Sequence, residues 1–151
     1  MKIITRPRKG ERGSALIEAA LTLPLLLLVS VGIFEFGRVF QTWQVLTNAA
    51  REGARMAVLP GMNSSDVQTR VRQYLQDGQL GGYAGASIVI DRTASISIGA
   101  GGTASTSVVT VNYPFNFMVL NPVARLVATS STLGAPITIS AAAEMRNESQ
   151  F

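Results

Sequence analysis

The sequence predicts an α+β chain, with one long N-terminal helix packed on a small head built around an antiparallel β-sheet. Three observations carry that reading. Residues 15–34 contain a single charge, Glu18. A helical stripe then continues without interruption to Leu59, where Pro60-Gly61 stops it. Beyond residue 86 the texture changes to short runs of Val, Ile, Thr and Ser between Gly, Pro and Asn, which is the pattern of strands and turns.

Taken in order, residues 15–34 come first. Twenty apolar residues at helical rise cover ~30 Å, the thickness of a bilayer core. The periodicity runs on through Phe36, Val39, Trp43, Leu46, Ala50, Gly53 and Ala57 at alternating three- and four-residue spacings, one stripe of a helix. Ala49, Gly53 and Ala57 form a second column of small residues, where another backbone could approach closely. One helix over 14–59 would be ~65–70 Å long, with a kink or a missing hydrogen bond at Pro24. The Trp43 stripe is expected to supply one wall of the head's core. Ser64 or Ser65 is expected to cap a second helix, with Asp66 in its first turn and Val67, Val71, Tyr74 and Leu75 as its apolar face. Strands are expected over 87–91, 94–98, 105–113 and 136–145, and a short helix from Asn121-Pro122 through Val127. The organisation is therefore a basic leader over 1–13, a long helix over 14–59 with a membrane span at about 15–34, and an α+β head over 60–151.

Composition narrows the function. Charged residues are 15% of the 151, against a usual ~25%, which favours a membrane or assembly role. Before residue 13, Lys2, Arg6, Arg8, Lys9 and Arg12 face only Glu11, a local charge of +4; from Ser14 onward eight arginines balance eight carboxylates. The basic character thus belongs to the leader, as a cytoplasmic anchor would have it. Nucleic-acid binding, which needs a basic face on the folded part, is disfavoured. The chain has no Cys and no His, and no Lys beyond Lys9. Thiol, imidazole and Ser-Lys schemes all fail, and no metal site or cofactor is expected. Asp91 with Glu144 is a formal acid/base pair, but nothing in the sequence sets their separation. The Gly clusters at 78–85 and 99–102 read as turns, since no Lys-Ser/Thr follows them.

The leader boundary reads Gly13-Ser14-Ala15-Leu16-Ile17-Glu18. Together with Pro24, the block Phe34-Glu35-Phe36-Gly37-Arg38, the block Ala49-Ala50-Arg51-Glu52-Gly53-Ala54-Arg55 and the C-terminal Ala141-Ala142-Ala143-Glu144-Met145-Arg146-Asn147-Glu148, it resembles the TadE-like minor pilins of the tight-adherence (Flp) pilus system. The resemblance covers the first 60 residues well, the last 15 moderately and the middle only in texture. It implies a pilin-like fold and a non-enzymatic role in pilus assembly and surface adherence. An inner-membrane prepilin peptidase would cut between Gly13 and Ser14 on the cytoplasmic side. It further implies other pilins and the inner-membrane assembly platform as partners, with the head on the periplasmic or extracellular side or in the pilus.

The resemblance also assigns Glu18 to pairing with the freed α-amino group of Ser14 on a neighbouring subunit. The plain alternative is a carboxylate that reaches back to the cytoplasmic interface. Glu35 and Arg38, three residues apart, read as an exposed helix pair or as a contact with a neighbouring subunit. Arg51 and Arg55 share a face and call for an acidic partner, with Asp66, Asp91, Glu144 and Glu148 as candidates. Docking of the C-terminal strand on this helix is favoured over a partner-binding patch, and close helix–sheet packing at Gly53 over a dimer seam. Trp43, Arg51, Gly53 and Arg55 are thus the packing or partner-contact residues. Two rival readings stand beside the pilin one: an unprocessed single-pass membrane protein whose head binds an envelope partner, and a secreted enzyme with a signal peptide cut beyond Ser30.

Overall fold

A computed structural model of the chain describes residues 11–99, 101–127, 130, 132 and 134–147. The N-terminal part of the basic leader, residues 1–10, and Glu148 lie outside the described residues.

Helix α1 runs unbroken over Glu11–Ala57, with Pro24 inside it. At 1.5 Å per residue that is ~70 Å. It is already helical at Glu11, the first described residue and three before the expected Ser14, and it stops short of Pro60-Gly61, where Gly61 takes φ +82° and turns the chain. Helix α2 spans Ser64–Asp77. Its cap is Asn63 rather than either serine. The Asn63 side chain accepts from the Asp66 amide at 2.9 Å and the Asp66 carboxylate accepts from the Asn63 amide at 3.3 Å, a reciprocal capping box. A short 3-10 turn over Tyr83–Gly85 leads into the sheet.

The sheet has three antiparallel strands in the order β1-β2-β3: β1 Ser87–Ser97, β2 Thr103–Phe115 and β3 Ile137–Arg146. The two short strands expected over 87–91 and 94–98 are one strand with a bulge. Asp91 pairs with Val108 and Ala94 with Thr106, so β1 carries one extra residue there. Asp91 occupies the bulge by accepting from the Thr93 hydroxyl at 2.7 Å and its amide at 2.8 Å. Those two bonds hold its carboxyl below the ordinary value. Between β2 and β3 the chain leaves the sheet to form helix α3, Leu120–Val127, where the sequence places a short helix.

The second half of α1 packs against α2, β2 and β3. Leu46, Ala49, Ala50, Ala54 and Ala57 of α1 meet Val67, Val71 and Leu75 of α2, Val109, Val111 and Phe115 of β2, and Ile139 and Ala141 of β3. The contact is alanine against alanine where α1 meets β3, so the helix axis comes close to the sheet. Tyr113 is buried with them, and its hydroxyl donates to the Gly81 carbonyl oxygen. Burial pushes that phenol above its ordinary value.

The expected core wall is corrected here. Leu46, Ala50, Gly53 and Ala57 of the Trp43 stripe are buried, but Phe36 is 74% exposed and Trp43 46% exposed, with Phe40 exposed between them. Trp43 instead lies against Phe40, ring centroids 6.2 Å apart. The face that docks on the head shares Leu46, Ala50, Gly53 and Ala57 with that stripe but is rotated away from Phe36 and Trp43, toward Glu35, Thr42 and Ala49. The reason is size. Large rings on the docking face would hold the sheet away, whereas the small-residue column lets it close.

Candidate functional site

The first half of α1 is unburied. Leu16, Ile17, Leu21 and residues 23–29 project from the molecule with nothing of their own chain against most of them. Among the described residues α1 is one helix long and apolar enough to cross a membrane. Its polar side chains are dealt with locally. The Thr22 hydroxyl donates to the Glu18 carbonyl oxygen at 2.9 Å, and the Ser30 hydroxyl to the Leu26 carbonyl oxygen at 2.8 Å, as suits hydroxyls in an apolar medium. Glu18 is exposed one turn in from the polar end. Gly13 and Ser14 are exposed on α1.

At the other end of this apolar stretch the structure builds a junction. Glu35 is 1% exposed. Its Oε1 accepts from the backbone N–H of Met118, Val119 and Leu120 at 2.8, 2.6 and 3.4 Å. Its Oε2 accepts from Arg38 at 2.8 Å. The Arg38 guanidinium in turn sits 5.1 Å over the Phe115 ring, and Phe115 stands edge-on to Phe117 at 5.3 Å. The carboxylate therefore caps α3 from a different helix, 83 to 85 residues away in sequence. Anions belong at helix N-termini, where orphan N–H groups and the dipole converge. The exposed-pair reading of Glu35 and Arg38 is thus replaced. The pair exists, but it is half of a buried clamp joining α1 to the chain between β2 and β3. The residues before α3, Met118 and Val119, carry no side-chain acceptor of their own. That lack is the sequence signal that an outside cap was needed.

Below the clamp, Val123 of α3 lies against α1, and the two elements enclose an apolar groove of about 520 Å³ lined by Pro24, Leu25, Leu27, Leu28, Val31 and Val123.

Residues 13–55 match the family model of the TadE-like protein. No curated protein and no solved structure matches the chain. The TadE-like segment takes in Gly13, Ser14, Glu18, the Glu35–Arg38 pair, Trp43 and the 49–55 block. It ends two residues before α1 does, so the sheet, α2 and α3 lie outside it.

Within the TadE-like segment, Gly53 sits at the crossing of α1 with α2 and β2. A Cβ there would stand 2.6 Å from a Val71 methyl and 3.1 Å from a Val109 methyl, so the position requires a residue without one. Among the described residues, Arg55 is not paired with Asp66, Asp91 or Glu144, and Glu148, the other expected partner of Arg51 and Arg55, lies outside them. Arg55 approaches Glu52 at 4.0 Å on its own helix, and Glu52 is taken by Arg70 of α2 at 3.1 Å. Glu144 instead accepts from the Thr106 hydroxyl at 2.6 Å. β3 does pack on α1, but through Ala141 and Ala143 rather than through charge. Asp91 and Glu144 flank Val108 on the two outer strands, which separates their backbones by ~10 Å.

Proposed function

We propose that this chain is a minor pilin or pseudopilin of a tight-adherence pilus, cut between Gly13 and Ser14 by a prepilin peptidase and needed for pilus assembly and surface adherence. The observation that carries the reading is the TadE-like match over residues 13–55 on a helix whose first half is apolar and unburied while its second half is the spine of an α+β head. Such a subunit can be stored in the inner membrane and later moved into a fibre, since the same face serves against lipid and against other helices. The N-terminus would face the cytoplasm, held by the +4 leader, with the head on the periplasmic or extracellular side.

Two local features support processing. Gly13 is exposed on α1, on the cytoplasmic side of the apolar stretch, where a membrane-bound protease could reach it. Glycine also offers a protease cleft no side chain to clash with. Cutting there removes the +4 leader and leaves a chain whose arginines and carboxylates balance. Glu18 would then lie one turn from the new α-amino group and from that of a neighbour, and would pair with it during assembly. The role is structural rather than catalytic, and its partners are the peptidase, other pilins of the system, the assembly platform and membrane lipid.

N-terminal sequencing of the membrane-extracted protein, from hosts with and without the peptidase, tests this. A start at Ser14 that disappears without the peptidase is expected. A start at Met1 in both hosts would make the chain a permanent membrane anchor with a partner-binding head, and the assembly role of Glu18 would fall.

A further inference from the structure

We propose that α3 is a membrane-immersed element, lying beside α1 in the outer half of the bilayer with lipid acyl chains filling the groove between them. The inference rests on the reading that residues 15–34 span the membrane.

The placement follows from two contacts on one helix. The backbone of residues 118–120 is held at the level of Glu35, just past the span. Val123 lies against the stretch of α1 from Pro24 to Val31, which is ~10 Å further into the span at 1.5 Å per residue. From its cap, α3 therefore points toward the lipid, not away from it. Pro24 is near the midpoint of the span, so the groove falls in its outer half. At that depth the surrounding medium is hydrocarbon, and a 520 Å³ apolar groove open to it cannot stay empty or fill with water.

The chemistry of the segment suits that medium. Met118 is 64% exposed, and Phe117, Leu120 and Val123 are half-buried, an apolar surface that water would not stabilise. Backbone in lipid must satisfy its hydrogen bonds internally, and most donors at the N-terminus of α3 are met in this way. Glu35 accepts from residues 118 to 120, Pro122 has no N–H, and Val123 donates to the Val119 carbonyl oxygen at 3.1 Å. The Asn121 side chain donates to the Gly134 carbonyl oxygen at 3.0 Å. Arg125 is the single charged residue between 117 and 127. It is exposed, and its long stem can carry the guanidinium to the headgroups. The clamp thus does more than join two helices. It satisfies three backbone donors, at 118, 119 and 120, that would otherwise oppose the entry of α3 into the bilayer.

The chain contains no cysteine, so single reporters are clean. Leu27→Cys, Met118→Cys, Pro122→Cys and Ser95→Cys would each carry an environment-sensitive NBD label on the full chain in vesicles of phosphatidylethanolamine and phosphatidylglycerol. All four positions are exposed, so an apolar signal reports what surrounds the protein. Labels at 27, 118 and 122 are expected to emit in the blue and to lose most of their emission when the acyl chains are brominated, while the label on β1 at 95 stays in water. Water-like emission at 118 and 122 with quenching at 27 would overturn the immersion of α3 and leave the span intact. Water-like emission at 27 as well would remove the span and this inference with it. Apolar emission at 118 and 122 that brominated chains do not quench would mean that protein covers the face, which also overturns the proposal.

Discussion

Removing the Glu35 side chain would leave three part-buried backbone N–H groups and the half-buried Arg38 guanidinium without their acceptor. Leaving such donors without an acceptor costs about 1–3 kcal/mol. Glu35→Ala is therefore expected to lower the unfolding midpoint of the detergent-solubilised chain markedly. Glu35→Gln should cost less, because its amide oxygen still accepts. Equal losses for the two would mean that the negative charge, not the acceptor, is what α3 requires. Two glycines of α1 separate packing from propensity. Gly53→Val drives methyls into Val71 and Val109 and should destabilise by about 2 kcal/mol, the usual range for overpacking. Gly37 has open space where its Cβ would go, so Gly37→Ala should be neutral or stabilise by about 0.5–1 kcal/mol, the helix preference for Ala. Thermal melts of the pair check both signs.

Helix α2 owes its start to Asn63 and Asp66, which exchange backbone and side-chain bonds. Asn63→Ala is expected to cost about 1 kcal/mol, read from denaturant midpoints at constant slope. Ser64→Ala and Ser65→Ala should cost far less, since neither is the cap. Helix α3 has the opposite arrangement, for its cap comes from another element. It should lose amide protection when Glu35 is changed, while α2 keeps its own. Hydrogen exchange resolves the two helices, and uniform loss in both would contradict the assignment of the cap.

The chain as a whole divides at the clamp. Above it, α1 is buried against α2 and the sheet; below it, among the described residues, α1 is mostly exposed and faces Val123 of α3 across the groove. Substitutions below the clamp should accordingly change assembly more than folding. Glu18→Ala is the sharpest case, since Glu18 is exposed and its side chain makes no bond to the described residues of the head. The variant should reach the membrane fraction and keep the wild-type melting behaviour of the head, yet yield no pilus in sheared preparations. Normal pilus yield would remove the proposed pairing with a neighbour's N-terminus.

Much of this was legible in the residues. The apolar run, the stop at Pro60-Gly61, the second helix and the β texture follow from local preference and periodicity, which act over a few residues and need no knowledge of the fold. The TadE-like stretch was legible for the same reason, because its motifs lie along one continuous helix. Two kinds of feature were not. Which stripe of α1 would be buried depended on the size of the side chains that the sheet could accept, so Trp43 and Phe36 stayed outside while the alanines went in. The role of Glu35 depended on amides more than 80 residues away, and no periodicity reports such a distance. Local chemistry in the sequence set the elements and their ends. The choice of docking face, and the carboxylate that holds α3 beside the apolar half of α1, arise only when the chain closes on itself, because burial and helix capping are satisfied by whatever lies nearest in space.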